Sequence, residues 1–118
     1  MINKIIIAGR IAAEPELKYT QAGTALCSFS IAHNKTAGDR EYTYFVDVTT
    51  WSDRAERFYQ NCHKGDKVVI EGELRVDKYA DRNGENRTRT YIVADWIEYM
   101  QRRQEPRFDS IPDEEAPY

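Results

Sequence analysis

The sequence predicts an all-β barrel of five strands with one α-helix between the third and fourth strands. Alternating or β-rich apolar runs occur at residues 2–10, 25–34, 42–51, 66–79 and 87–99. Turn-forming residues, among them Gly23, Gly38 and the pair Asn83-Gly84, separate the runs. One segment with helical spacing lies between the third run and the fourth. Many strands and a single helix indicate a small barrel.

The first three strands follow from β-branched and aromatic residues. The first contains IIIA at residues 5–8, and the second covers residues 25–34. The third is YTYFVDVTTW at residues 42–51, in which successive side chains point to opposite faces of the sheet. Tyr42 and Tyr44 lie on the face opposite the other aromatics of this strand, and we interpret them as edges of the core.

The helix is predicted after the third strand. Helical spacing relates Ala55, Phe58, Tyr59 and Cys62. Asp53, with Glu56 three residues later, resembles a capping box at the start, and Gly65 predicts the end. Three strands, one helix and two strands is the element order of the OB fold, a five-stranded Greek-key barrel.

The last two strands are predicted to form a long hairpin. Asn83-Gly84 lies between LRVDKYA and RTRTYIV, and this pair predicts a turn whose loop exceeds two residues. Gly72 falls inside the fourth strand, where a glycine weakens pairing. We therefore expect a bulge or a sharp bend at Gly72.

Length and charge predict one domain with an acidic extension. The 118 residues suffice for one domain with a modest core. Residues 1–103 carry 16 Lys and Arg against 15 Asp and Glu, a net charge of +1. Residues 104–118 carry one Arg against five acids, a net charge of −4. We expect an OB-fold domain over residues 1–103 and a flexible, disordered acidic tail over residues 104–118.

The cysteines and the apolar runs predict a cytoplasmic protein. Cys27 and Cys62 are 35 positions apart and form no CxxC pair, so we expect two reduced, packed thiols. The first apolar run is far shorter than the roughly 20 residues that a membrane span requires, and it lacks the form of a signal peptide. We expect a cytoplasmic location and no membrane association.

Two aromatic rings are predicted on the solvent-facing side of the third strand. Phe45 and Trp51 alternate with the apolar side chains that we expect to be buried. They either pack in a subunit interface or under a loop, or they form a platform for nucleobases, each stack being worth roughly 1 to 3 kcal/mol. In the fourth strand Arg75, Asp77 and Tyr79 share one face, which adds a third ring beside a cation.

Cations around the predicted hairpin favour base stacking over packing of these rings in an interface or under a loop. Lys78, Arg82, Arg87 and Arg89 lie within twelve residues of one another. Alone they indicate a solvated charged turn, but beside exposed rings they favour contacts with phosphates while the rings hold bases.

The chain resembles bacterial and phage single-stranded DNA-binding proteins. The opening MINKIIIAGRIAAEPELKYTQAGTALCSFSIAHN is similar to the start of that family, and FVDVTTW to its third strand. KGDKVVIEGELR resembles its fourth strand, and ADRNGENRTRTYIVAD its long hairpin and fifth strand. The resemblance covers about residues 1–99 and implies an OB fold that binds single-stranded DNA as a homotetramer, a dimer of dimers. It also implies a location at the nucleoid, or in the host cytoplasm if a phage encodes the chain.

The resemblance also implies functional residues. Phe45, Trp51 and Tyr79 match positions where the family stacks aromatics on DNA. Combined with the hairpin cations, the predicted phosphate contacts are Lys4, Arg10, Lys64, Arg75, Lys78, Arg82, Arg87 and Arg89.

Two departures from the family pattern affect the expected affinity. The loop NKTAGDR lacks the aromatic residue that many members carry there. Asp77 lies in a row where basic residues are common, and its charge would repel phosphate. These departures predict weaker binding or a smaller footprint on the DNA, and a shallower salt dependence than is typical of the family.

Trp96 is interpreted separately from the other rings. Strict alternation places it on one face with Ala94 and Glu98, outside the main core. We favour packing in a subunit interface over base stacking for this side chain.

The tail resembles the acidic tip with which the family docks replication and repair proteins. The matching residues in FDSIPDEEAPY are Asp109, Ile111, Pro112, Pro117 and Tyr118. An acidic segment with a terminal hydrophobe suits a basic, apolar pocket. The alternative is a tail that only increases solubility.

The sequence thus predicts a protein that coats single-stranded DNA without sequence preference in replication, recombination and repair. No catalytic residue, cofactor or metal site is predicted, and no phosphate-cradling glycine loop is found. The alternatives are a primosome-type adaptor that bridges replication proteins, a pure adaptor without DNA binding, and a metal-dependent nuclease on an OB barrel.

Overall fold

Six β-strands and one α-helix build residues 1–100, the part of the chain that the computed structural model describes. The elements are β1 (Ile5–Ile11), β2 (Glu16–Tyr19), β3 (Ala25–Ala37), β4 (Arg40–Trp51), α1 (Ser52–Asn61), β5 (Lys67–Ala80) and β6 (Asn86–Tyr99). Five of these strands correspond to the predicted ones. The sixth, β2, is a short strand that pairs with β3 and that the sequence pattern did not reveal.

The five long strands close into a barrel. They pair in the order β1-β5-β6-β4-β3, and β1 pairs again with β3 through Arg10–Ala32 and Ile11–Ile31. The β4–β6 pair is parallel and all others are antiparallel. With α1 between the third and fourth barrel strands, the predicted OB fold is confirmed.

The barrel encloses an apolar core built from the inward side chains of each strand. Ile31, Val48, Ile70 and Ile92 are almost fully buried. Phe58 of α1 stacks on Phe29 of β3 with ring centroids 4.2 Å apart, so the helix packs its apolar side against the barrel. Burying each such side chain stabilises the fold by roughly 1.5 to 3 kcal/mol.

Both cysteines belong to this core. Cys27 and Cys62 are buried and form no disulfide, which confirms the prediction of two packed thiols. Burial raises the pKa of the Cys27 thiol to about 11, so this thiol stays protonated at neutral pH. Within residues 1–100 no helix has the length and apolar composition needed to cross a membrane.

The predicted ends of the helix are wrong. No side chain caps the start of α1, and the carboxylate of Glu56 instead accepts a hydrogen bond of 2.8 Å from the hydroxyl of Tyr19. The helix ends at Asn61, before Gly65, which lies in the following turn with φ of 94°. The unpredicted strand β2 explains the first error, since it brings Tyr19 to the helix.

A bulge lies opposite Gly72, as predicted. Gly72 pairs with Ala94, whereas the preceding residue, Glu71, pairs with Trp96. Since Glu71 and Gly72 point to opposite faces of β5, so do their partners. Ala94 is therefore buried and Trp96 exposed, which corrects the prediction that the two share a face.

Two hairpin arms extend beyond the barrel. The β3–β4 arm turns at Gly38, which has φ of 67°, and the β5–β6 arm turns through residues 81–85, a loop longer than two residues, as predicted. Tyr42 and Tyr44 lie on the β3–β4 arm and are exposed. Their prediction as core edges is wrong because the strand continues past the barrel, where no core covers them.

Gly72→Ala should destabilise the protein. A Cβ at this position would overlap the backbone carbonyl of Val93, so we expect a loss of roughly 1 to 3 kcal/mol in the free energy of unfolding, measured by urea denaturation. Gly38→Asn is the control, because Gly38 faces open space and Asn tolerates a positive φ; its change should stay within about 0.5 kcal/mol. Wild-type stability of Gly72→Ala would contradict the close approach.

Candidate nucleic-acid interface

The three predicted stacking rings are exposed on the outer surface of the barrel. Relative exposure is 70% for Phe45, 40% for Trp51 and 52% for Tyr79. In β4 the alternate residues Val48 and Thr50 are buried, so the rings of Phe45 and Trp51 point outward. The chain leaves β4 through a left-handed residue, Ser52 with φ of 61°, and turns directly into α1.

The β5–β6 hairpin carries the third ring together with cations. Tyr79 pairs with Arg87, Asp77 with Arg89 and Arg75 with Tyr91. Directly paired residues share a face, so the predicted row Arg75, Asp77 and Tyr79 forms one surface with the three β6 residues. Val93 follows Tyr91 on the same face of β6 and pairs with Thr49 of β4, so this surface continues into the face that bears Phe45 and Trp51.

Arg10 extends the surface on the other side. Ala32 pairs with Phe45 in β4 and with Arg10 in β1, so these three residues form one row across three strands. Nη1 of Arg10 donates to the backbone carbonyl of Gly65 at 3.1 Å. This bond places Lys64, the residue before Gly65, at the same end of β1.

Lys18 and Tyr91 also belong to this face, although sequence reasoning missed both. Lys18 pairs with Leu26, which pairs with Trp51, so the ammonium side chain lies in the row of that indole. The ELKY segment was not predicted as a strand, and the only signal was its alternation over four residues. Tyr91 could not be assigned to this face from the sequence, because the residue opposite it depends on the register of the hairpin.

The remaining predicted cations lie elsewhere. Lys78 pairs with Thr88 on the opposite face of the hairpin from Tyr79, and Arg82 lies in the turn. Lys4 precedes β1 and pairs with Glu71 on another part of the barrel surface. The structure therefore brings together Arg10, Arg75, Arg87 and Arg89 with the three rings but separates Lys4 and Lys78 from them.

Several of these cations already pair with carboxylates. Nε of Arg75 donates to Glu73 at 2.9 Å, and Nε of Arg87 donates to Asp81 at 2.8 Å. The Arg87 guanidinium and two backbone N–H donors in the turn lower the pKa of Asp81. These acids hold the guanidinium groups in place, and they also compete with phosphate for them.

A second exposed surface lies on the outside of β1, β5 and β6. Ile6 pairs with Glu71, which pairs with Trp96, and the apolar side chains of this row are 67% and 59% exposed. Nζ of Lys4 bonds Glu71 at 2.8 Å, which raises the pKa of the lysine. This row therefore carries two exposed apolar side chains with an ion-paired carboxylate between them.

Two further predictions concern metal binding and the tail. Residues 1–100 contain no group of three or more His, Cys, Asp or Glu that could hold a metal ion. The predicted docking residues Asp109, Ile111, Pro112, Pro117 and Tyr118 lie outside the described residues.

Comparison with known proteins identifies relatives along nearly the whole described region. The model of the single-strand binding protein family matches residues 2–100. The chain is 35% identical over 106 residues to a single-stranded DNA-binding protein of Deinococcus radiodurans, covering 86% of this chain and 35% of the relative. It is 36% identical over 103 residues to that of Treponema pallidum, covering 84% and 58%. With single-stranded DNA-binding protein A of Bacillus subtilis the identity is 30% over 105 residues, covering 86% and 60%. The chain thus spans only part of the length of these relatives.

Proposed function

The chain belongs to the single-strand binding protein family, and on that premise we propose that it binds and coats single-stranded DNA without sequence preference. The observation that carries the proposal is the exposure of Phe45, Trp51 and Tyr79 on one continuous face. Coating would protect unwound strands in the cytoplasm during replication, recombination and repair, and it requires no chemical step and no cofactor.

The bases and the phosphates of the DNA would contact different kinds of side chain. Phe45 and Trp51 are six residues apart on β4, roughly 20 Å at the rise of an extended strand, so the two rings contact different nucleotides. Every base offers a π-face, and stacking therefore tolerates any sequence. Arg10, Arg75 and Arg87 supply charge for the phosphates, which adds affinity but no base discrimination.

A single-tryptophan variant tests the stacking role. Trp96→Phe leaves Trp51 as the one indole, and oligo(dT) should quench its fluorescence. In that background Phe45→Ala should weaken binding by roughly 1 to 3 kcal/mol, measured by titration, because one stacked base is lost.

Phe45→Leu is the matched variant, since it keeps an apolar side chain but has no π-face. We expect it to bind nearly as weakly as Phe45→Ala. Wild-type affinity in both variants would exclude Phe45 from the interface, and an unquenched Trp51 would exclude that indole.

We further propose that the surface of Ile6 and Trp96 is a subunit interface of a homotetramer. The support is the exposure of both apolar side chains in one row across β1, β5 and β6, with the Lys4–Glu71 ion pair between them. Association would remove this area from water, which favours assembly by roughly 25 cal/mol per Å² of apolar surface.

Ile6→Asp should therefore lower the mass of the particle in solution. A carboxylate buried in an interface without a partner is costly, so light scattering should show dissociation toward dimers or monomers. Tyr59→Asp on the exposed side of α1 is the control and should keep the wild-type mass. An unchanged mass for Ile6→Asp would place the interface elsewhere.

The tail is proposed to dock proteins that act on DNA in replication and repair. Its support is the acidic composition of residues 104–118 and the Pro117-Tyr118 ending, which suits a basic, apolar pocket. We treat residues 1–103 as the DNA-binding domain and residues 104–118 as a separate acidic tail.

Deleting residues 109–118 should keep or strengthen DNA binding, because the deletion removes four acidic side chains whose charge repels phosphate. Binding to replication and repair proteins should be lost in the same variant, measured by pull-down with purified candidates. Unchanged capture of a partner that binds the full chain would contradict docking through the tail.

A further inference from the structure

Asp77 and Arg89 face each other on the β5–β6 hairpin and yet do not pair. They are direct cross-strand partners on the face that carries Tyr79. Opposite charges in this position normally attract and form an ion pair. Among the ion pairs within residues 1–100 none joins these two side chains, although neighbouring Arg75 and Arg87 both bond carboxylates.

Tyr91 contacts both members of the unformed pair. Its hydroxyl donates to Oδ2 of Asp77 at 2.7 Å, a short bond to a charged acceptor. The guanidinium carbon of Arg89 lies 4.5 Å from the centroid of the Tyr91 ring, the geometry of a cation–π contact. One side chain thus holds the carboxylate with its polar end and the guanidinium with its ring face.

The phenol is suited to this role at neutral pH. The hydrogen bond to Asp77 is the main cause that raises the pKa of Tyr91, and partial burial adds to it. The hydroxyl therefore remains a donor under conditions in which DNA would bind. Arg75, directly opposite Tyr91, forms its ion pair with Glu73 at 2.9 Å, and Asp77 adds only a weaker electrostatic contribution to its raised pKa.

We propose that Tyr91 is a positioning residue that occupies the carboxylate of Asp77 and so leaves Arg89 available to a DNA phosphate. The inference rests on the proposed binding of single-stranded DNA. It gives a role to the acidic residue that departs from the family pattern: Asp77 orients Tyr91, and Tyr91 in turn presents Arg89. Without the hydroxyl, Asp77 would become an internal counterion for Arg89.

Tyr91→Phe tests this role because it removes only the hydroxyl and keeps the ring. The released Asp77 would pair with Arg89, so binding would release one counterion fewer. The slope of log K against log salt should fall in magnitude by about 0.7, the value for one phosphate on a single strand, and affinity at low salt should drop. Arg89→Ala should give the same change in slope, and Tyr91→Phe should add nothing to it.

The double variant Asp77→Asn with Tyr91→Phe separates positioning from a structural effect. Without a carboxylate nothing captures Arg89, so the slope should return to the wild-type value. The matched control is Tyr19→Phe, which removes a second tyrosine–carboxylate hydrogen bond within residues 1–100, that to Glu56, and touches neither Asp77 nor Arg89. Its slope should equal that of the wild type.

The measurement is fluorescence anisotropy of a labelled dT oligomer with the full chain at several salt concentrations. An unchanged slope in Tyr91→Phe would overturn the inference, and so would failure of Asp77→Asn to restore it. In both cases the wild type still binds the oligomer, and the proposed function stands. A wild type that does not bind dT at any salt concentration would overturn the proposed function, and the inference with it.

Discussion

The closed barrel imposes the constraint on which the rest of the molecule depends. Once β1 pairs with both β5 and β3, every strand has one set of side chains inside and one outside. The interior is already filled by Ile, Val and Phe side chains around Phe58, so the ring of Phe45 has no place in it. Its exposure follows from geometry and from the limited volume of the core, and it makes the ring available to a base.

The positive charge of the surface that carries the rings is partly neutralised by acidic side chains of the protein itself. The described body is close to neutral, and Arg75 and Arg87 each bond a neighbouring acid. The acid beside each of these two guanidinium groups fixes its direction but also neutralises part of the positive charge that DNA phosphates would otherwise neutralise. If DNA binds there as proposed, such a surface would release fewer counterions than one with unpaired cations, so its affinity would depend less on salt. Stacking would then carry a larger share of the binding energy.

Local patterns predicted most of the fold and part of the site. Alternation located the five long strands and the outward rings of Phe45 and Trp51, and Gly72 marked the bulge. The errors share one cause, which is dependence on a distant segment. The carboxylate of Glu56 is used by Tyr19 rather than by the helix start, and the exposure of Tyr44 depends on where the barrel ends. Short-range periodicity contains no information about either.

The sequence by itself determined which side chains point to opposite faces, because alternation is a property of the extended backbone alone. It also determined the acidic composition of residues 104–118 and indicated the two packed thiols. Only the tertiary structure decided which outward side chains become neighbours, since that depends on strand pairing and register. The bulge at Gly72 moved Trp96 away from the face of Ala94, and the hairpin register brought Tyr91 to Asp77 and Arg89. Register is set by contacts summed over the whole sheet, and no single stretch of the chain contains them.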